Sequence, residues 1–70
     1  MERESVDSSA LASVGYDRDV LEVEFGNGSV YQYVGVPIRV YEALMMAQSH
    51  GRFFNEHIRD RYQYIPVPSQ

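Results

Sequence analysis

Residues 20–34 read Val20-Leu21-Glu22-Val23-Glu24-Phe25-Gly26-Asn27-Gly28-Ser29-Val30-Tyr31-Gln32-Tyr33-Val34. In residues 20–25, Leu21, Val23 and Phe25 fall on one side and Glu22 and Glu24 on the other. Period two with one polar face predicts a half-buried antiparallel strand whose glutamates meet solvent. Gly26-Asn27-Gly28 then supplies turn chemistry, because Asn and Gly tolerate positive φ. The return strand, 29–34, sets Val30, Gln32 and Val34 against Tyr31 and Tyr33. A hairpin is the unit from which the fold is built outward.

Upstream, the small apolar run 10–16 is broken by Asp17-Arg18-Asp19 and reads as another strand, giving a three-stranded meander. Residues 1–9 are polar and are expected to be loose. Downstream, Gly35-Val36-Pro37 ends the sheet, with Pro37 suited to the first helical position. Residues 38–48 form an amphipathic pattern: Val40, Leu44 and Ala47 make a stripe flanked by Tyr41, Met45 and Gln48. Gly51 reads as a helix stop, with Ser49 as an alternative cap for a following helical turn. Residues 52–59 suggest a second short helix, with Phe54 and Ile58 on one face. Residues 61–65 read as a short strand or extension carrying Tyr62 and Tyr64, and Pro66 and Pro68 are expected to stop further pairing and leave an edge strand or a tail. The expected fold is α+β, ordered β-β-β-α-α-β: a three-stranded antiparallel meander against one longer and one shorter helix. It is one domain over residues 1–70, with an ordered core over about residues 6–65.

The bulk numbers bound the function. A chain of 70 residues without cysteine has neither a disulfide staple nor thiol chemistry, and a net stability of ~3–5 kcal/mol is expected. The polar start, Met1-Glu2-Arg3-Glu4, does not read as a signal peptide, and no apolar run is long enough to span a membrane. The expected location is the cytoplasm, with no membrane partner. The formal net charge is −4, and the six basic residues are all arginine. Residues 1–35 hold two arginines against seven carboxylates, whereas 36–70 hold four against three. Four arginines in the second half read first as ordinary charged surface and otherwise as a basic patch on an acidic molecule.

An ordered set of short motifs adds a resemblance. It comprises Val6-Asp7-Ser8-Ser9, Val14-Gly15-Tyr16-Asp17, the Leu21/Val23/Phe25 strand with its glycine turn, and Val30-Tyr31-x-Tyr33 followed by Val36-Pro37. Ala47-x-Ser49-x-Gly51-x-Phe53-Phe54-Asn55, Ile58-Arg59 and Tyr62-x-Tyr64 complete it. Together they resemble the KTSC domain over about residues 6–64. This small module is similar to one at the C-terminus of some lysyl-tRNA synthetases and also occurs alone as a short bacterial or phage-type protein. The resemblance implies a C-terminal Tyr-x-Tyr signature and, by association with the synthetase, nucleic-acid binding. It implies no catalytic residue and no cofactor.

Candidate functional residues come from the aromatic and basic content. Tyr31, Tyr33, Tyr62 and Tyr64 offer rings on which unpaired bases stack, and Arg39, Arg52, Arg59 and Arg61 offer guanidinium forks for phosphate. The same rings would also serve a core, which a chain this short needs. Tyr and Arg equally dominate protein interfaces, so a protein partner, or self-association through an edge strand, stands as the alternative. No nucleophile elbow or phosphate-binding glycine loop is present, and His50 and His57 with Glu56 fall short of a zinc set. The expectation is a binding module with no catalytic residue, metal or cofactor.

Overall fold

The computed structural model describes residues 1–68. Among these residues, five strands form one antiparallel sheet in the order β1-β2-β3-β4-β5, and two helices cover one face. The strands are β1 (Glu4–Ser5), β2 (Leu11–Asp17), β3 (Val20–Phe25), β4 (Val30–Val34) and β5 (Tyr64–Val67). Helices α1 (Ile38–Met46) and α2 (His50–His57) lie between β4 and β5 in the chain. The expected meander is the centre of the sheet, β2-β3-β4. The short C-terminal strand or extension of the expected order is a strand, β5, at one edge of the sheet, and the unexpected β1 at the other edge brings the strand count to five.

The core is made from one side of the alternation. Leu21, Val23 and Tyr33 are buried against Leu44 of α1, Phe54 of α2 and Ile58 just beyond it. Leu11 and Val14 belong to the same core although they are three residues apart in a strand. The register slips between Leu11 and Ser13, pairing Leu11 with Phe25 and Ser13 with Glu24. That bulge restores the alternation, so both apolar side chains face inward.

The two hairpin turns divide their chemistry unexpectedly. At Gly26–Gly28 only Gly28 has positive φ (93°). Phe25 accepts from Gly28 N (2.9 Å), and Asn27 Oδ1 accepts from Ser29 N (3.0 Å). This is the three-residue loop ending in a left-handed glycine, rather than a two-residue Asn-Gly turn. The β2–β3 turn puts two non-glycine residues, Arg18 (φ 50°) and Asp19 (φ 67°), in the left-handed region. Asp19 repays its position. Its backbone oxygen accepts from Val36 N (2.9 Å), while the Tyr16 hydroxyl is directed at both Val36 O (2.7 Å) and Asp19 Oδ1 (3.2 Å). The turn thereby grips the link from sheet to α1.

Several local expectations are corrected. Residues 1–9 are not all loose: Glu4 and Ser5 pair with Val14 and Ser13. The cause lies across the sheet, where Arg3 forms an ion pair with Glu22 and donates from Nε to Ser13 Oγ (2.8 Å). Glu22 is consequently not on a solvated face; it is 5% exposed and also accepts from Gln32 Nε2 (2.8 Å). Pro37 precedes α1 as an extended residue (ψ 149°) instead of opening the helix, and α1 ends at Met46, short of the expected Gln48. Gly51 is not a helix stop. It lies inside α2, where an added Cβ would stand 3.0 Å from Ala10 Cβ. The alternative for Ser49 holds: its side chain accepts from Arg52 N (3.2 Å) and caps α2, which begins two residues before the expected Arg52.

Pro66 and Pro68 do not end the pairing early. The β4–β5 ladder runs from Tyr33↔Tyr64 through Tyr31↔Pro66 to Val30↔Val67. Val34 N donates to Gln63 O (3.0 Å), and hydrogen-bonded pairs alternate along an antiparallel ladder. Residues 63, 65 and 67 therefore turn their backbone groups to β4, and residues 64, 66 and 68 turn theirs outward. Both prolines occupy positions whose missing N–H would have faced away from the sheet.

Candidate nucleic-acid or partner interface

Tyr31 and Tyr33 share the inner face of β4 because they are two residues apart. The β3 register puts Val23 opposite Tyr31 and Leu21 opposite Tyr33, and β5 puts Tyr64 opposite Tyr33. The helices cover this face only in part. Phe54 of α2 meets Tyr33 edge-on at 5.3 Å between ring centres and Phe25 at 5.4 Å. Beyond Phe54 the cover ends, and Tyr64 stands over the gap, 5.4 Å from Tyr31 and 5.6 Å from Tyr33. The rings form a continuous cluster that passes from core to surface. Tyr33 is 4% exposed and Tyr64 is 56% exposed, with Tyr31 between them.

Where the cover ends, the surface opens into a groove of about 450 Å³. Phe25, Tyr31, Tyr33, Phe54 and Tyr64 form its aromatic wall, and Asn55, Arg59 and Asp60 bring polar groups from α2 and the turn after it. A second depression of about 480 Å³ shares Arg59, Asp60 and Tyr64 and adds Tyr62 and Ile65. The shared residues form a ridge between the two hollows.

The sequence-derived candidates thus separate. Tyr31, Tyr33, Tyr64 and Arg59 converge on the groove. Tyr62 lies next door, half-buried against the core. Arg61 is exposed on the turn leading to β5, where its backbone N–H donates to Ile58 O (3.1 Å). Arg52 is exposed on α2 and paired with Glu56 at 3.2 Å. Arg39 is exposed on α1 and lines neither hollow. Sequence reasoning missed Asp60 and held Asn55 only as part of the family motif. Their signal was position alone: Asn55 follows the buried Phe54, and Asp60 follows Arg59, two residues after the buried Ile58.

The electrostatics centre on Tyr33. Burial pushes its phenol above the usual tyrosine range, Tyr64, Tyr31 and Asp60 push it further the same way, and Arg59 opposes them. At neutral pH it is an O–H group able both to donate and to accept. His50 directs Nδ1 at Leu44 O (2.8 Å), and His57 packs on the Phe53 ring at 4.6 Å. No group of three His, Asp or Glu side chains converges as metal ligands among the described residues. No helix among them is long and apolar enough to cross a membrane.

Known proteins share this outline. A crystal structure of a KTSC domain protein from Yersinia pestis is similar, with a TM-score of 0.89 and 40% identity, covering 96% of this chain and 97% of that one. An uncharacterized protein of Stutzerimonas stutzeri is 45% identical over 67 residues, covering 91% of this chain and 94% of its own length. A lysine–tRNA ligase of Trichormus variabilis is 43% identical over 44 residues, which is 63% of this chain and only 8% of the ligase. The KTSC domain profile matches residues 7–64. With the matched span covering most of the sheet and both helices, the chain belongs to the KTSC domain family.

Proposed function

We propose that the chain is a non-catalytic binding module that contacts single-stranded nucleic acid, RNA first, by admitting an unpaired base between β5 and α2. The observation that carries this reading is the convergence of Tyr31, Tyr33 and Tyr64 with Arg59 on one open groove. Tyr64 offers an exposed ring for stacking, which contributes about 1–3 kcal/mol per base. Arg59 and the nearby Arg61 supply phosphate contacts, with Arg52 reachable once it leaves Glu56. Similarity to a segment of a lysine–tRNA ligase supports the class of ligand. Such a module would work in the cytoplasm.

The alternative is a protein partner on the same Tyr/Arg surface, favoured by the seven carboxylates of residues 1–35. Self-association by edge pairing is the weaker form of that alternative. The outward positions of β5 include Pro66, with Pro68 next in the alternation, so a second strand would find few donors there.

The test is an amide chemical-shift titration of labelled protein with short single-stranded RNA at low and physiological salt. Shifts gathered at Tyr31, Tyr33 and residues 52–64 are expected. With two or three phosphate contacts, affinity should fall about tenfold between 50 and 200 mM salt. A flat titration at low salt would rule the reading out and leave the protein partner.

A further inference from the structure

We infer that the base admitted by the groove is guanine, read through its Watson–Crick edge by Asp60 and the Tyr33 hydroxyl. This rests on the single-stranded nucleic-acid reading above and adds a ligand identity to it.

Two independent observations lead there. The first is the Tyr33 hydroxyl. Its residue is 4% exposed, yet among the described residues the hydroxyl has no hydrogen-bond partner in the protein. No fully buried side-chain oxygen lacks a partner among those residues, so this one is not sealed from solvent, and Tyr33 is one of the residues lining the groove. A hydroxyl with no protein partner, on a mostly buried ring that lines a hollow, is open to a ligand atom. The second is Asp60. It is exposed, it forms no ion pair among the described residues, and it lines both hollows beside Tyr64. A carboxylate repels phosphate, so in a nucleic-acid groove its place is against a base edge that presents donors.

The four bases differ sharply in that respect. Guanine alone presents two adjacent donors, N1–H and N2–H, matching the two oxygens of a carboxylate, with the O6 acceptor beside them. Adenine and cytosine each offer one amino group next to a ring acceptor, which faces a carboxylate oxygen unfavourably. Uracil offers one N–H flanked by two carbonyls. The Tyr33 O–H, a donor at neutral pH, suits O6. An arginine side chain from a protein would present a similar donor pair. Arg59 lines the same groove, however, and opposes a second guanidinium while suiting the phosphate of a nucleotide.

The experiment compares four labelled pentamers, UUGUU, UUAUU, UUCUU and UUUUU, by fluorescence anisotropy at low salt. The guanine pentamer is expected to bind about tenfold tighter than the other three, the discrimination of a good two-point base contact. Asp60→Asn should bring the four affinities within about twofold of one another. Tyr33→Phe, which loses no protein hydrogen bond, should lower the guanine preference with amide dispersion retained. Equal binding of all four by the native chain overturns the guanine assignment and leaves the nucleic-acid reading standing. Binding of none overturns both. A guanine preference that survives Asp60→Asn overturns the role of Asp60.

Discussion

Replacing Arg3 by alanine takes two charged hydrogen bonds from the outer face of the sheet. One goes to Glu22 and the other, from Nε, to Ser13 Oγ at 2.8 Å. The contact with Glu24 at 4.0 Å is on a more open carboxylate and counts for little. After the change, Glu22 keeps the Gln32 amide at 2.8 Å and Ser13 keeps its bond to Glu24 at 2.8 Å. One carboxylate oxygen is left without its cation in a residue 5% exposed. Removing one partner of a fully buried pair costs about 3–5 kcal/mol. Arg3 is 28% exposed on its side chain, so water enters behind it and the cost falls to about 2 kcal/mol. That is roughly half of the ~3–5 kcal/mol expected for a domain of this size. By contrast, the Arg52–Glu56 pair has side chains 78% and 53% exposed, and Arg52→Ala should cost no more than about 0.5 kcal/mol.

Acid supplies the internal control. Desolvation alone would raise the Glu22 pKa, but the bonds from Gln32 and Arg3 and the Arg3 charge outweigh it and hold the carboxyl below its ordinary value. The contribution is therefore complete above the unfolded-state value of about 4.3 and is lost as pH falls through the folded value. In the Arg3→Ala variant the desolvation stays while the cation is gone, so protonation relieves the variant. Urea unfolding followed by circular dichroism at pH 7 and pH 3 should show a gap between native and variant that narrows in acid. A loss below about 0.5 kcal/mol at pH 7, or an equal gap at both pH values, would refute the account of a cation holding a buried carboxylate.

Three further outcomes are expected. Arg18→Gly should raise the urea midpoint, by ~0.5–1 kcal/mol in stability, because a left-handed position costs a residue with a side chain about 1–2 kcal/mol and glycine returns part of that as chain entropy. Gly15→Ala should cost about 1–3 kcal/mol and loosen β1, seen as faster amide exchange at residues 4–6, because its Cβ would overlap the Glu2 carbonyl and stand 3.0 Å from Arg3 Cγ. On the alkaline side the raised Tyr33 phenol stabilises fully below the unfolded value of about 10 and fades as pH rises through the folded value. Tyr33→Phe should therefore make the urea midpoint less sensitive to pH above about 10.

The central hairpin was legible because local alternation and turn chemistry both pointed to it, and no distant residue had to agree. The same holds for the stripe of Val40 and Leu44 on α1. What escaped depends on partners remote in sequence. β1 is two residues of polar strand, held by an arginine that reaches a glutamate 19 positions away. Glu22 looked solvated for the same reason: alternation names a face and says nothing of what lies over it. Gly51 resembled a helix stop, yet its reason is the approach of Ala10, a contact between the start of β2 and the start of α2. Pro66 and Pro68 pointed rightly to an edge strand but wrongly to an early end of pairing, because proline reads as a ladder breaker until parity shows which side each N–H would have faced.

The site was legible to a similar depth. Period two correctly joined Tyr31 to Tyr33, and joining the final segment to the sheet brought Tyr64 to them. The alternation could not say that this face is also the one the helices cover. In a chain this short the same face closes the core and carries the proposed ligand surface, and the rings grade from one to the other. Tyr33 sits inward at 4% exposure, Tyr31 sits halfway, and Tyr64 stands on an edge strand where the cover of α2 ends. The coupling has a consequence for mutagenesis. Truncating Tyr33 to alanine removes a core ring at about 3–5 kcal/mol, comparable to the whole stability of the domain. The ring of Tyr64 is open and its loss should leave the fold in place. A binding defect is therefore informative at Tyr64, and at Tyr33 only when the change is confined to the hydroxyl.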